Sequence, residues 1–512
     1  MRALAPGDVE RFRAMCDVIH RLRDALRPAA NFAAPSRAAL VCCAHMDQTP
    51  ALKRGIRFRD LVLFYVVVVL SVRWTASAAT AGPSILVVWI AALTCFFIPL
   101  AASVMELSSR YPEEGGIYVW TREAFGDFSG FICAWTYWMS NLPYFAGVLY
   151  FGAASALFAF GLRAHELSSN PLYYIAFSGF WLAAITLLNI RGVNVGKWLN
   201  NIGALGSLLP LTVLLLLAAA SYWRFGPAIH VTGASLVPRW SLDNAVFWSN
   251  VFFAFSAVEA ASAMGDEIKN PRRTIPWALL VAGGILTIGY IGGTFALLLT
   301  LPTQAVAGPD GFVTGIYMLA SRLGLGWLLI PVALLVALSS VGNAAANLSS
   351  TARLPFVVGV DRYLPPAFGW IHPRFRTPWV AIAVYGLAGV VVALLSQAGT
   401  TVRGAYNVLV SMSVISLFLP YLFLFSAMIC MQGRPAAPEV RRVPGGKPVA
   451  IALASIGFVS TAATIVLSVI PGADETNKPL AVAKVLGGTV VLVGLGVGVF
   501  FFSRYKTRTY VE

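Results

Sequence analysis

The stretch "FAFSAVEAASAMGDEIKNPRRTIP", residues 253–276, begins apolar, carries a carboxylate at Glu259 within its apolar part, and ends in charge and proline. An ionised side chain at the centre of a membrane helix costs about 2.5–3.5 kcal/mol even on the mildest scales, so it faces a protein interior or water and marks function. The first half therefore reads as a membrane span built around a polar group. The second half reads as the point where the chain leaves the lipid, with Pro271 and Pro276 fixing the turn into the next span.

The remaining sequence has the same character. Of 512 residues, 58% are hydrophobic and 12% charged, with a mean hydropathy of +0.75; a soluble domain is about 25% charged. The apolar excess lies in long charge-poor runs, most of them long enough for the roughly 20 residues that cross a bilayer as a helix. Dividing the runs at proline, glycine and charge gives about twelve spans. They lie near 60–80, 83–108, 127–160, 171–190, 196–222, 243–265, 275–301, 327–350, 378–397, 402–431, 449–470 and 479–503. The fold class is an all-α polytopic membrane protein.

The net charge of +15 follows the same topology. Alternate connections carry about 22 Lys and Arg on one side and about 7 on the other, and this bias places both termini in the cytoplasm of a cell membrane protein. The basicity thus signals orientation in a lipid bilayer and no nucleic-acid partner. Six irregularly spaced cysteines give neither a disulfide framework nor a metal site, and no cofactor is expected.

Residues 1–57 read as a cytoplasmic tail. Its first 45 residues carry seven Arg, no Lys and three of the six Cys, with neither a membrane-length run nor a secretory apolar segment. Two readings stand for them: a disordered tail, or translation that starts at Met46. Residues 58–222 form a first five-helix unit, 223–242 an outer loop and 243–431 a second five-helix unit. A cytoplasmic loop (432–448), two further helices (449–503) and a tail (504–512) complete the chain. Two spans at corresponding places are interrupted: the first by "SVRWTASAATAGPS" (71–84) and the sixth around Glu259. A pair of broken spans near the start of each half points to inverted repeats with a binding site at the bilayer midplane. Opened turns expose backbone groups that need a ligand, ion or water.

Two motifs carry a family resemblance. "RYPEEGGIYVWTREAFG" (110–126) resembles the P-x-x-G-G-x-Y segment between helices 2 and 3 of the amino acid–polyamine–organocation transporters. "FAFSAVE" with "GDEIKNPRRTIP" resembles their helix 6 and the E-x-x-N-P-x-R-x-[IV]-P signature that follows it. The likeness runs from about residue 58 to 505 and implies a LeuT-type 5+5 fold with two appended helices. It also implies secondary transport of amino acids or related amines by alternating access, as a permease or antiporter.

The resemblance implies site residues. The family's G-S-G stretch in broken helix 1, counted back from Pro83, falls on Ala76, Ser77 and Ala78, whose N–H groups would hold a substrate carboxylate; close helix packing is the other reading. Arg73 either meets a carboxylate or Glu259, or reaches for an interface. Phe253 and Phe255, with Ser256, would wall the substrate; a plain core role is the other reading of the two aromatics. Glu259 would couple or gate, or else tie two helices. Ser339, Ser340 and Asn343 are candidates for coupling to a proton or sodium, with Asn343 and Asn347 sharing a helix face that also suits helix packing. "TYWMSNLPYF" (136–145) offers Tyr137, Trp138, Asn141 and Tyr144 as pathway residues, and helix 5 lacks the fixed Lys of some proton-coupled members. Glu267 and its charged neighbours read as a cytoplasmic gate network. Tyr118, Trp120 and Phe125 read as headgroup-zone aromatics.

Two rivals from other classes remain. An embedded enzyme lacks any HExxH or G-x-S-x-G motif to support it. A non-transporting sensor is kept open by Ala76 and Ala78 in place of glycines.

Overall fold

Charge-poor apolar runs become helices in lipid because each backbone donor must find its acceptor within the segment. The computed structural model describes residues 55–160, 163–229, 231–308, 310–361, 363–396, 402–470 and 478–509. The reading of residues 1–45 lies outside them. In chain order the principal helices are α1 (Phe58–Val69), α2 (Arg73–Ala79), α3 (Ile85–Arg110), α4 (Ile117–Phe125), α5 (Asp127–Ala156), α6 (Pro171–Ile190), α7 (Val193–Phe225) and α8 (Leu242–Ala254). They continue as α9 (Pro271–Thr300), α10 (Leu329–Thr351), α11 (Arg353–Val360), α12 (Trp379–Ser396), α13 (Val402–Met431), α14 (Gly446–Ser468) and α15 (Lys478–Thr509).

Among the described residues nine helices are long and apolar enough to cross a membrane, or ten when α1 and α2, bent by 42°, count as one span. Of the other expected spans, the ninth is a shorter apolar helix, Trp379–Leu394. The sixth divides into α8 and a 3-10 helix, Ala260–Glu267.

Burial separates centre from rim. The apolar window of α5 is 78% buried and that of Leu486–Tyr505 only 11%, so α5 forms an inner wall and α15 faces lipid. α7 and α10 meet backbone to backbone: a Cβ added at Gly342 would lie 2.5 Å from Gly203 Cα. Proline also leaves its mark. Pro99 has no N–H to offer Cys95, α3 widens into a π turn at Leu93–Phe97, and Ser460 Oγ of α14 donates to the freed Cys95 carbonyl at 2.8 Å.

Two local expectations need correction. The eighth span does not stop at 350; the chain continues as helix to Val360, with Pro355 tolerated in the first turn of α11. Tyr118 and Trp120 are fully buried within the protein and do not face outward. Their polar tips are satisfied inside the protein: Tyr118 Oη donates to Asp361 at 2.5 Å and Trp120 Nε1 to the Tyr111 carbonyl at 3.4 Å.

Candidate functional site

The first break lies at Leu70–Val72, between α1 and α2. The β-branched run Val66–Val69 gives the helix little intrinsic support, and donors from other helices take the carbonyls that the break releases. Asn343 Nδ2 donates to Val67 O at 2.6 Å and Val68 O at 3.0 Å. Tyr290 Oη donates to Val69 O, and Ser207 Oγ to Leu70 O at 3.2 Å.

The second break follows Ala254. Ala257 takes φ 70°, a left-handed conformation rare for alanine. Its N–H donates to Tyr421 Oη at 2.7 Å. The same hydroxyl donates to Glu259 Oε1 at 3.0 Å, and Tyr137 Oη donates to that oxygen at 2.6 Å. Glu259 is 2% exposed, and its Oε2 has no hydrogen-bond partner among the described residues. The buried carboxylate of the opening stretch is thus held beneath the break by two phenols, one from α5 and one from α13.

Between the breaks lies a small cavity of about 20 Å³, room for little more than water. Ser140, Asn141, Ser256, Asn347 and Ser413 supply its polar lining, and Trp74, Tyr144 and Phe253 its aromatic wall. Trp74 and Tyr144 meet Phe253 with ring centroids 5.9 and 6.3 Å apart. The Arg73 guanidinium lies over Trp74 at 4.6 Å and Tyr144 at 5.5 Å, buried behind the aromatic wall.

A second cluster closes the end of the bundle that carries the basic connections. Arg353 Nη2 meets both carboxylate oxygens of Glu267, at 2.9 and 3.1 Å, and both residues are buried. The Glu267 carbonyl accepts the N–H groups of Gly55 and Ile56 at 3.0 and 3.1 Å, so the strand-like lead into α1 is pinned there. Glu114 Oε2 accepts the Asp266 N–H at 3.2 Å. Burial, with the Glu267 charge beside it, pushes the Glu114 carboxyl well above the usual carboxylate range. Gly265 allows this packing, since a Cβ there would lie 2.2 Å from the Pro112 carbonyl.

The structure gathers some of the expected residues and separates others. Phe253 and Ser256 line the cavity, with Asn141 and Tyr144. Phe255 does not: it packs on Trp89, Phe97 and Tyr290 at 5.4, 5.1 and 5.2 Å. Ala76, Ser77 and Ala78 are not unwound but lie inside α2, past the break. Ser339 contacts Ser207 beside the first break, whereas Ser340 Oγ turns back to Val336 O at 3.2 Å. Trp138 packs against Trp135 and Tyr385, away from the cavity lining. Trp74, Tyr421, Arg353 and Glu114 were not anticipated; a buried Arg just past a span is the one signal that could have found Arg353.

A bundle of membrane-length helices, with two interruptions facing one small cavity, is the architecture of a multi-pass membrane transporter. The chain belongs to the amino acid permease family, which it matches over residues 56–493. It is similar to an uncharacterized transporter of Legionella pneumophila, 28% identical over 448 residues that cover 86% of this chain and 95% of that one. A probable agmatine/putrescine antiporter of Lactococcus lactis is 23% identical over 436 residues, covering 85% and 92%. A serine/threonine exchanger of Bacillus subtilis is 26% identical over 336 residues, covering 64% and 70%. The protein is a secondary transporter.

Proposed function

We propose that the transported substrates are amino acids, moved by alternating access across the cell membrane with both termini in the cytoplasm. The observation that carries this reading is the cavity lining: amides and hydroxyls from Ser140, Asn141, Ser256, Asn347 and Ser413, with Arg73 stacked behind the aromatic wall. An amino acid's carboxylate gains from a nearby guanidinium. A diamine needs carboxylates, and none is among the residues that line the cavity. The agmatine/putrescine antiporter among the relatives favours the amine reading, which the same experiment tests.

In this reading the two five-helix units, 58–222 and 243–431, rock about the two breaks. Arg73 draws the carboxylate, Phe253 and Ser256 wall the substrate, and Ala76, Ser77 and Ala78 carry the half-helix beside it. Glu259 transmits substrate binding to the second break through Tyr421, and Ser339 and Asn343 control the first. The buried Glu267–Arg353 pair fits a form with its cytoplasmic gate shut.

The test is uptake into proteoliposomes of radiolabelled neutral, acidic and basic amino acids and putrescine. It is run with and without a pH gradient and with unlabelled substrate inside. Uptake of an amino acid, lost in Arg73→Ala, is expected. Uptake of putrescine alone overturns the substrate class, and binding without uptake or exchange makes the protein a sensor.

A further inference from the structure

The connection from α13 to α14, residues 432–445, is fixed against the end of α3 by its own backbone. Arg441 N–H donates to Ser109 Oγ at 3.0 Å, and Val443 N–H to Glu106 Oε2 at 3.0 Å. Gln432 Nε2 and Arg110 Nη2 donate to Glu106 Oε1 at 2.8 and 3.1 Å. Glu106 is 1% exposed, so the carboxylate that holds this strap is spent inside the protein. The strap's cations stay outside. The Arg441 guanidinium lies over the ring of Trp277, on α9, at 5.4 Å. Arg273 stands four residues before Trp277 on the same helix face and is exposed, as are Arg442 and Lys447. Glu439, the acid of the strap, pairs with Arg272. Among the described residues none of Arg273, Arg441, Arg442 and Lys447 forms an ion pair.

This cluster heads two apolar helix faces. Trp277, Leu280 and Val281 on α9, and Val449 and Ile456 on α14, are 39–59% exposed, and both helices pack on α3. A half-exposed Trp at the end of such a face marks the headgroup level of a bilayer. We propose that the cluster binds an anionic phospholipid, its phosphate held between Arg273 and Arg441 and its acyl chains lying along α9 and α14. Guanidinium forks match phosphate oxygens. Arg441 is ready for this, because its backbone is pinned and an aromatic ring supports its side chain. Unpaired cations between membrane helices favour acidic headgroups, whereas a zwitterionic headgroup brings a cation of its own. The inference goes beyond the transport reading and requires only that the basic end of the bundle lies at the bilayer surface.

The experiment titrates the purified, delipidated full-length chain in detergent with phosphatidylglycerol or with phosphatidylcholine of the same acyl chains. Bound lipid is read by native mass spectrometry, beside the melting temperature. Wild type is expected to hold phosphatidylglycerol about tenfold more tightly than phosphatidylcholine. Arg273→Gln with Arg441→Gln is expected to lose that preference. Arg374→Gln with Arg376→Gln, which removes the same charge from another connection, is expected to keep it. If the first pair does not fold, Arg441→Gln with Arg442→Gln is read the same way. Equal retention of the two lipids by wild type overturns the proposal, as does a folded Arg441 variant with its preference intact. Loss of preference in the Arg374 and Arg376 pair as well would overturn it too, since net charge would then be the cause. Glycerol phosphate that raises the melting temperature as far as the intact lipid would make the cluster a site for a free anion instead. Neither readout needs a substrate, so failure of the uptake panel leaves this test standing.

Discussion

Arg353 and Glu267 form a two-point ion pair buried between α11 and the end of the broken sixth span, and the Glu267 carbonyl holds the chain entering α1. Removing one partner leaves an uncompensated buried charge, which costs about 3–5 kcal/mol. Arg353→Met or Glu267→Met alone should therefore lower the melting temperature sharply. The double variant should recover most of the loss, because an apolar pair of similar volume is often neutral there. If the proposed gate is right, a cysteine introduced at Gly55 should label faster in each single variant. Equal losses in the single and double variants would mean that the pair does not act as a unit.

Glu114 shares that cluster and gives it a pH dependence. The groups facing it are Glu267 and Asp266, which raise its proton affinity, and Arg353, which lowers it, with burial the largest cause. Its folded pKa lies above the ordinary value of 4.5, so folding binds the proton more tightly. The stability it contributes is complete below that ordinary value and is lost as pH rises through the folded one. Glu114→Gln should keep that stability, flattening the melting temperature between acid and neutral pH. A wild-type profile already flat across that range would show that Glu114 is not the titrating group.

How much of this was legible in the sequence depends on where each partner comes from. The charge-free runs gave the helical bundle, and Glu259 marked the second break because a carboxylate in an apolar run has no bland local cause. The interruption read at 71–84 includes the break, which opens at its start, ahead of the Ala76–Ala78 stretch that the resemblance implied. The β-branched run Val66–Val69 only weakens the helix there; the donors that hold the break open, Asn343, Tyr290 and Ser207, lie 276, 221 and 137 residues from their acceptors. The burial of Tyr118 and Trp120 escaped for the same reason, since an amphipathic segment reads alike whether lipid or protein covers it.

The contact between Gly203 and Gly342 predicts a steric response. A Cβ at 342 would meet Gly203 Cα at 2.5 Å and Leu199 O at 3.2 Å, both backbone atoms that cannot rotate aside. Gly342→Ala should push α7 and α10 apart at a cost of about 1–3 kcal/mol. Gly342→Val should cost more, and both should show in the melting temperature. Because Asn343 is the next residue, the same displacement should weaken its grip on α1. An unshifted melting temperature for Gly342→Val would mean that the helices are not packed at this distance.

The last prediction separates a working Glu259 from a structural one. Tyr137 and Tyr421 both donate to Glu259 Oε1, but only Tyr421 also holds the N–H of Ala257 in the break. A hydrogen bond to a charged group is worth about 1.5–3 kcal/mol, so Tyr137→Phe should lower stability by that order and Tyr421→Phe by more, since it also strands the Ala257 N–H. If Glu259 signals to the break through Tyr421, Tyr421→Phe should slow substrate exchange well beyond Tyr137→Phe at matched amounts of folded protein. Adding Glu259→Gln to Tyr421→Phe should then slow exchange little further, because both substitutions cut one path. If Glu259 only ties α5 and α13 together, exchange should fall in step with stability in both tyrosine variants. Rates measured in proteoliposomes beside melting temperatures of the same preparations decide between the two.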